Sequence, residues 1–251
     1  MDSKERFSNR VGNYVKYRPS YPSAAIDYLY STVGMKPESR IADVGAGTGI
    51  FSKLLLERGS EVIAVEPNQA MREAADRELG AYGQYGSVAA AAEVTGLPEH
   101  SVDFIVCAQS FHWFDRPAAQ VEFHRILKPG GKAVLIWNSR LTSGTRFLAG
   151  YEDLLRLYTT DYEQMTHKKI SPDQLKLFFR NQKMQEARFT NSQQFNLEEL
   201  TGRALSSSYV PAEGEPNHDE FKQGLEELFE KTQENGLVSF DYETEVFWGD
   251  V

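Results

Sequence analysis

The sequence of 251 residues contains a single cysteine, Cys107. One cysteine excludes an internal disulfide and a structural zinc site built from several cysteines. Because Cys107 lies in the apolar run 104–108, a small buried hydrophobic residue is a simpler interpretation than a reactive thiol. The sequence also has no stretch of about 18 apolar residues, and residues 1–6 lack the apolar core of a signal peptide. We therefore expect a soluble, cytoplasmic protein with no membrane partner.

Basic residues are in the minority, since 27 Lys and Arg stand against 36 Asp and Glu, for a net charge of −9. Proteins that bind nucleic acid usually present a clustered basic surface, and this sequence has no such cluster. We expect a small-molecule substrate and no nucleic-acid partner. The five histidines lack the paired spacing of metal ligands, so no metal site is expected. The sequence leaves open whether the chain is a monomer or a homodimer.

Residues 40–138 alternate short apolar runs with amphipathic segments, which is typical of successive βαβ units. The strands are nearly continuous in apolar residues, which indicates a parallel sheet covered by helices on both faces, as in a doubly wound, Rossmann-like α/β fold. The predicted strands are 40–44, 61–65, 85–88, 102–108 and 132–137. Helices are predicted at 51–58, at 69–79 with Asn68 as the N-cap, and after the N-cap Asp115. Pro129-Gly130-Gly131 is predicted to end that last helical element before the next strand.

The length suits one domain with an inserted cap. Within the domain 1–251 we expect an N-terminal lid and helix in 1–30, a cofactor-binding core in 36–138, and a helical substrate cap with C-terminal strands in 139–251. Apolar stripes at helical spacing occur around 147–158 and 217–234. Alternating residues at 237–247 suit a half-buried antiparallel strand, with 184–189 as its candidate partner.

A glycine-rich segment, Asp43-Val44-Gly45-Ala46-Gly47-Thr48-Gly49, joins the first predicted strand to a helix. Its glycines permit a sharp turn and a close approach to a ligand, and the helix N-terminus favours a negative group. A turn of this kind can also be purely structural. Glu66 favours ligand binding, because it stands about 20 residues beyond the first glycine, where an acid reaches a ribose.

The spacing of the glycines distinguishes between the candidate nucleotide cofactors. Dinucleotide folds use G-x-G-x-x-G, whereas Gly49 comes one residue early. Asp43 would repel a pyrophosphate but can accept a hydrogen bond from an ammonium group. S-adenosylmethionine offers an ammonium group, a carboxylate for the helix N-terminus and a ribose for Glu66. NAD(P) is the alternative cofactor.

Successive motifs resemble those of the class I S-adenosylmethionine-dependent methyltransferases. They are the loop 43–49, Glu66-Pro67-Asn68-Gln69-Ala70-Met71, Ala92-Glu93, Ser101-Val102-Asp103-Phe104 and Arg125-Ile126-Leu127-Lys128-Pro129-Gly130-Gly131. Two further segments are similar to the methyltransferase type 11 branch that includes trans-aconitate methyltransferases, namely Tyr17-Arg18-Pro19-Ser20-Tyr21-Pro22 and Phe111-His112-Trp113-Phe114-Asp115. The resemblance covers residues 6–138. It implies a seven-stranded, mostly parallel sheet with an antiparallel edge hairpin and a helical insertion.

The resemblance also implies the site residues. Cofactor contacts are expected from Arg18, Asp43, Gly45, Ala46, Gly47, Gly49, Glu66, Pro67, Met71, Ala92, Glu93 and Gln109. Arg18 would clamp the methionine carboxylate through parallel hydrogen bonds, and Met71 would pack on the adenosine. This chain has Ala91 where many relatives have the Asp of an Asp-Ala-Glu motif, so that acid is absent. Substrate contacts are expected from Tyr21, Trp113 and Asn138.

Methyl transfer from a sulfonium is an in-line displacement, for which alignment and exclusion of water supply most of the catalysis. We expect Gln109 to lie near the reacting methyl group. His112 is the candidate catalytic base. A hydroxyl, amine or carbon acid needs such a base, whereas a carboxylate does not. A packing role is the alternative for His112. The expected acceptor is a small molecule, with a carboxylic acid first. The insertion offers polar residues without a fixed role, which are Arg140, Arg146, Arg203, Ser206, Ser207, Ser208 and Tyr209.

Two other functions stay open on the sequence. One is an NAD(P)-dependent oxidoreductase, against which the early Gly49 and the added Asp43 argue. The other is a cofactor-binding module that has lost catalysis and acts through a partner, against which the intact loop and Glu66 argue.

Overall fold

The computed structural model describes residues 17–159, 162, 170–207 and 209–251. Seven strands form one sheet in the order β3-β2-β1-β4-β5-β7-β6. The strands are β1 Arg40–Val44, β2 Glu61–Val65, β3 Tyr85–Val88, β4 Val102–Ala108, β5 Leu127–Arg140, β6 Gln185–Phe195 and β7 Val238–Gly249. The first five pair in parallel, whereas β7 pairs antiparallel with both β5 and β6. The predicted fold, a mostly parallel seven-stranded sheet with an antiparallel edge hairpin, is confirmed.

Helices cover both faces of the sheet. They are α1 Ser23–Tyr28, α2 Ile50–Glu57, α3 Gln69–Leu79, α4 Arg116–Ile126, α5 Arg146–Tyr158, α6 Pro172–Lys176, α7 Leu197–Leu205 and α8 His218–Thr232. Two predicted N-caps are confirmed, since the Asn68 side chain accepts a hydrogen bond from the Met71 N–H and the Asp115 side chain from the Ala118 N–H. Each satisfies a donor that has no partner inside the first helical turn. None of the helices that the structure describes is long and apolar enough to cross a membrane.

The start of β5 differs from the prediction. The strand begins at Leu127 rather than Lys132, so Pro129-Gly130-Gly131 lies inside it and not before it. Leu127 pairs with Val102, and the register then shifts so that Lys132 pairs with Phe104. A bulge accommodates the extra residues of β5. The bulge interrupts the apolar pattern of the strand, so the pattern alone predicts a later start.

The cap consists of α5, α7 and α8, which pack on the C-terminal end of β6 and the N-terminal end of β7. Its core is aromatic and centres on Phe240 of β7, whose ring lies 5.4 Å from Phe147, 4.9 Å from Tyr151 and 5.8 Å from Phe195 between centroids. A third cluster of buried residues forms this core, separate from the two that line the faces of the central sheet. The hairpin therefore belongs to both the sheet and the cap.

The order of the strands creates a crevice. β1 and β4 are neighbours in the sheet, although β2 and β3 lie between them in the chain. In open α/β sheets, ligands bind beyond the carboxyl ends of the strands at such a switch point. The loops that follow β1, β2 and β4 are thus the ones that the fold brings together.

Candidate functional site

A cavity of about 200 Å³ opens at this switch point. Its wall comes mainly from the loops after β1, β2, β3 and β4, from Asn138 near the end of β5, from residues 18–21 and from α7 of the cap. The lining residues are Arg18, Pro19, Tyr21, Gly45, Ala46, Gly47, Thr48, Ile50, Phe51, Glu66, Pro67, Asn68, Met71, Ala91, Ala92, Glu93, Ala108, Gln109, Ser110, Trp113, Phe114, Asn138 and Arg203. Of the sixteen predicted site residues, all but Asp43, Gly49 and His112 are in this wall.

The glycine loop follows β1 closely. Gly45, Gly47 and Gly49 have φ values of 72°, 58° and 81°, a region that side chains with a Cβ rarely adopt. A Cβ on Gly45 would lie 2.4 Å from the Cβ of Ser110, so β1 and the loop after β4 approach each other only because this residue is glycine. Gly47 has only the Met71 sulfur within 4 Å of such a Cβ and faces the cavity. These two glycines let the bare backbone form the wall.

Gly49 has a different role from the one predicted. A Cβ there would lie 2.6 Å from Leu79 Cδ1 and 3.2 Å from Ala75 Cβ, both on α3. Gly49 therefore permits close packing of two helices, behind the cavity wall and outside it.

Glu66 braces the loop from the end of β2. Its Oε2 accepts the backbone N–H of Gly47 at 2.9 Å, and its Oε1 accepts that of Asn68 at 2.8 Å. The side chain is only 8% exposed, and burial raises the pKa of its carboxyl although both hydrogen bonds oppose this shift. A carboxylate has further lone pairs beyond these two bonds. Glu66 thus fixes the loop and still offers acceptors to a ligand hydroxyl.

Asp43 is not among the residues that line the cavity, and its expected contact with an ammonium group stays a prediction. It is fully buried, and its Oδ2 accepts a hydrogen bond of 2.6 Å from the hydroxyl of Ser52 on α2. Burial raises the pKa of Asp43 to about 7, the hydrogen bond from Ser52 lowers it, and the charge of Glu66 raises it further. The physical reason is geometric, because the last residues of a buried strand alternate between the two faces of the sheet. Asp43 ties β1 to α2.

The wall beyond Glu66 combines apolar surface with one more acid. Pro67, Met71 and Ala92 line it, and Ala92 and Met71 are buried. Glu93 also lines the cavity, and its Oε1 accepts the backbone N–H of Asp115 at 2.8 Å. Glu93 therefore holds the segment after β4 against the cavity in the same way that Glu66 holds the glycine loop.

Gln109 directly follows β4 with a φ of 60°. A positive φ at a residue other than glycine stores backbone strain of about 1–3 kcal/mol, and such positions cluster at functional sites. The Gln109 amide donates to the carbonyl oxygen of Asn138 at 3.0 Å. This places two predicted site residues, one from each of two adjacent strands, side by side in the wall.

Asn138 joins four parts of the chain. Its Nδ2 donates to the carbonyl oxygen of Ser20, and its Oδ1 accepts from the hydroxyl of Thr244 at 2.5 Å and from Nδ2 of Asn191 at 3.2 Å. Asn191 also donates to Ser20 at 2.8 Å. The amide of Asn138 is consequently fixed by β6, β7 and the segment that crosses the cavity.

Residues 17–21, which we call the strap, cross the cavity between the sheet and the cap. The Arg18 Nη2 donates to the carbonyl oxygen of Ser206 at 3.1 Å. The Tyr17 ring fits against Gly202 of α7, where a Cβ would lie 2.1 Å from the ring carbon Cε2. The Tyr21 ring meets Phe51 edge to face at 4.9 Å. The strap includes the part of the predicted lid that the structure describes; residues 1–16 lie outside the described residues.

The aromatic segment after β4 divides in two. Trp113 and Phe114 line the cavity, whereas Phe111 is fully buried against Phe178 at 4.6 Å. His112 lies outside the wall, with its ring tilted against that of Trp113 at 4.8 Å. The geometry favours the packing alternative for His112 over the base.

Among the polar residues of the insertion, the structure selects one. Arg203 lines the cavity, whereas Arg140 is paired with Glu152 inside the cap and Arg146 is exposed. Ser206 and Ser207 are buried without lining the cavity, and Ser208 lies outside the described residues. A signal for Arg203 existed, because it falls on the apolar face of α7 with Leu200 and Ala204. A cation on that face indicates a special environment.

Residues 42–135 match the family described as methyltransferase domain. An uncharacterised methyltransferase from Mycobacterium tuberculosis is 40% identical over 139 residues, which are 55% of this chain and 54% of that protein. The chain spans about half the length of the curated relatives that it first matches.

Solved structures resemble the fold over 71–93% of the chain. A candidate type II methyltransferase from Anaeromyxobacter dehalogenans has a TM-score of 0.71 at 22% identity, over 93% of this chain and 98% of that one. A candidate S-adenosyl-L-methionine-dependent methyltransferase from Methanococcus maripaludis has a TM-score of 0.54 at 23% identity, over 71% and 84%. At these identities the likeness concerns the fold alone.

Proposed function

We propose that this chain transfers the methyl group of S-adenosylmethionine to a small molecule, because residues 42–135 match the methyltransferase domain family and the cavity lies beside the matched loops. The cofactor supplies a methyl group on a positively charged sulfur. The chain's own residues bind it, align the acceptor and exclude water, which is most of what an in-line displacement needs.

One observation carries the proposal, namely the distribution of charge around the cavity. Glu66 and Glu93 line the cavity on the side of β2 and β3, and Arg18 lines it on the side of the strap. A ligand with hydrogen-bond donors at one end and a carboxylate at the other fits this polarity. S-adenosylmethionine has ribose hydroxyls at one end and the methionine carboxylate at the other.

The residues present fit each part of this cofactor. Glu66 would accept from the ribose, and the bare backbone at Gly47 would let the ligand approach the loop. Met71 and Ala92 would contact the adenine, and Arg18 would bind the carboxylate from the strap.

We infer a carboxylic acid as the first acceptor to test. The residues beside the strap are Gln109 and Asn138, whose amides are oriented by hydrogen bonds. Amides orient a substrate but do not take its proton at neutral pH. A carboxylate is ionised already and needs orientation more than a base. The position of His112 outside the wall agrees with this choice.

Calorimetric titration with S-adenosylmethionine, S-adenosylhomocysteine and NAD tests the cofactor. We expect micromolar or tighter binding of both sulfur compounds and none of NAD. Binding of NAD alone would overturn the proposal in favour of an oxidoreductase. Transfer of a labelled methyl group, screened over small acids, phenols and amines, then tests catalysis. Cofactor binding with no transfer to any class would support the non-catalytic module instead.

A further inference from the structure

Two arginines at the cap, the partly buried Arg140 and the buried Arg203, have contrasting surroundings. Arg140 forms an ion pair with Glu152, whose carboxylate also accepts from the hydroxyl of Tyr162. Arg203 is 5% exposed and has no carboxylate partner among the residues that the structure describes. Its nearest groups are neutral: the Tyr242 hydroxyl at 3.2 Å from Nε and the Ser207 hydroxyl at 3.1 Å from Nη1. Among the described residues, Glu152 therefore compensates the charge of Arg140, and no carboxylate compensates that of Arg203.

The neutral neighbours of Arg203 fix its direction. The guanidinium carbon lies 5.5 Å from the centre of the Phe240 ring and 6.0 Å from that of Tyr242. The Tyr242 hydroxyl in turn donates to Oε1 of Gln193 at 3.1 Å, so it is held as an acceptor for Nε. These contacts use the N–H of Nε and one N–H of Nη1. The other N–H groups of the guanidinium can donate to a ligand in the cavity that Arg203 lines.

A buried cation without a counter-charge is costly, and an anion from outside the protein removes that cost. The fork of an arginine matches the two oxygens of a carboxylate. The position of Arg203 then decides which ligand supplies the carboxylate. Glu66 follows β2, whereas Arg203 rests on β7, and β1, β4 and β5 lie between them in the sheet. At the usual strand spacing this is roughly 19 Å, so Arg203 lies on the acceptor's side of the cavity.

We propose that Arg203 binds a carboxylate of the methyl acceptor, held in place by Tyr242 and Ser207. This inference rests on the proposed function and adds the residue that recognises the substrate class. It assigns the two arginines of the cavity wall to different ligands: Arg18 binds the methyl donor, and Arg203 binds the acceptor.

The test uses the full chain saturated with S-adenosylhomocysteine. The complex is titrated calorimetrically with succinate, citrate, benzoate and phenylacetate, and with the corresponding amides as uncharged controls. Variants are Arg203→Met, Arg203→Lys and, as a matched control on the same cap, the exposed Arg146→Met. We expect at least one acid to bind, its amide to bind at least about tenfold more weakly, and Arg203→Met to reduce acid binding to the level of the amide. The affinity of Arg203→Lys for the acid should lie between those of the wild type and Arg203→Met. Arg146→Met should bind the acid as tightly as the wild type.

Thermal unfolding without ligands separates a binding role from a structural one. Removal of an unpaired buried cation should leave the Tm of Arg203→Met equal to or above that of the wild type. Arg140→Met should lower the Tm, because it removes the less exposed of the two arginines that pair with the buried Glu152 and leaves only the exposed Arg156.

Three results would overturn the inference while the proposed function stands. They are the absence of acid binding by the wild-type complex, an unchanged affinity for acid in Arg203→Met, and a fall of S-adenosylhomocysteine affinity in that variant, which would assign Arg203 to the donor. Failure of the wild type to bind S-adenosylhomocysteine at all would instead overturn the proposed function.

Discussion

Glu66 holds Gly47 through a hydrogen bond of 2.9 Å between its Oε2 and the backbone N–H of the glycine. The same carboxylate accepts the N–H of Asn68 with its other oxygen. One side chain at the end of β2 therefore fixes both the glycine loop and the start of α3. Any ligand in the cavity meets a loop whose shape is set before binding.

Replacement of Glu66 by Ala should weaken S-adenosylhomocysteine binding by about 10- to 100-fold, because it removes a charged acceptor that also orders the loop. Glu66→Gln keeps one acceptor oxygen and should lose less. Calorimetry measures both, and Glu73→Ala, an exposed change on α3, serves as the control. Equal affinity in wild type and Glu66→Ala would remove the carboxylate from the cofactor site.

Gly49→Ala should destabilise the protein by about 2–4 kcal/mol, because it combines a left-handed φ with a contact of 2.6 Å to Leu79. Gly96→Ala isolates the backbone part, since Gly96 has a φ of 72° and no atom within 4 Å of such a Cβ. Denaturant unfolding should show a clearly smaller loss for Gly96→Ala. Similar losses in the two variants would mean that the contact with α3 is relieved at no cost.

The raised pKa of Asp43 predicts a dependence of stability on pH. Its pKa is about 7 in the folded protein against an ordinary value of 3.8, so between these values the folded state binds more protons than the unfolded state. The free energy of unfolding therefore falls as pH rises from about 4 to 7 and the contribution is constant above that. Glu66, whose pKa is also raised by burial, acts in the same direction.

Asp43→Asn should flatten this dependence, because the amide has no proton to lose. Unfolding measured at pH 5 and pH 8 should give a decrease smaller by about 1 kcal/mol or more in the variant than in the wild type. The absolute stability of the variant is not the test, since the amide introduces a donor beside Ser52. Parallel pH profiles would show that Asp43 is ionised throughout this range.

Gly202→Ala should displace the strap. Its Cβ would occupy the position of the Tyr17 ring, at 2.1 Å from Cε2, and Arg18 follows in the chain. We expect S-adenosylhomocysteine to bind about tenfold more weakly, with helix content unchanged by circular dichroism. Thr201→Ala, one residue earlier on α7, should bind normally. A normal affinity in Gly202→Ala would show that the strap does not contribute to the donor site.

The sequence was sufficient for the parts of the fold where local pattern and tertiary burial agree. The bounds of β1, β2 and β4 follow from apolar runs that are mostly buried. β6 could not be delimited in the same way, because its second half, Thr190-Asn191-Ser192-Gln193-Gln194, is polar and lies at the sheet edge. Its pairing with β7 continues to Phe195 through backbone hydrogen bonds, which any residue except proline can make.

The donor half of the candidate site was predictable for a related reason, since loops after consecutive strands converge by topology. The contacts of the strap, Gly49 and Arg203 join segments that are distant in the chain, and no local spacing encodes them. Asp43 shows the limit within a motif, because the same residue type at a strand end can face either a ligand or a helix.

The hairpin of β6 and β7 has a kinetic consequence. Val246 pairs with Ile136 inside the sheet, while Phe240, six positions earlier on the same strand, is in the core of the cap. A continuous strand shared in this way makes the cap a fixed wall that cannot swing open. The strap is held by hydrogen bonds from Asn138 and Asn191 to Ser20, each worth about 1 kcal/mol, and by the packing of the Tyr17 and Tyr21 rings. We therefore expect a ligand to exchange through opening of the strap, since loops move in nanoseconds to microseconds, rather than through separation of the cap from the sheet.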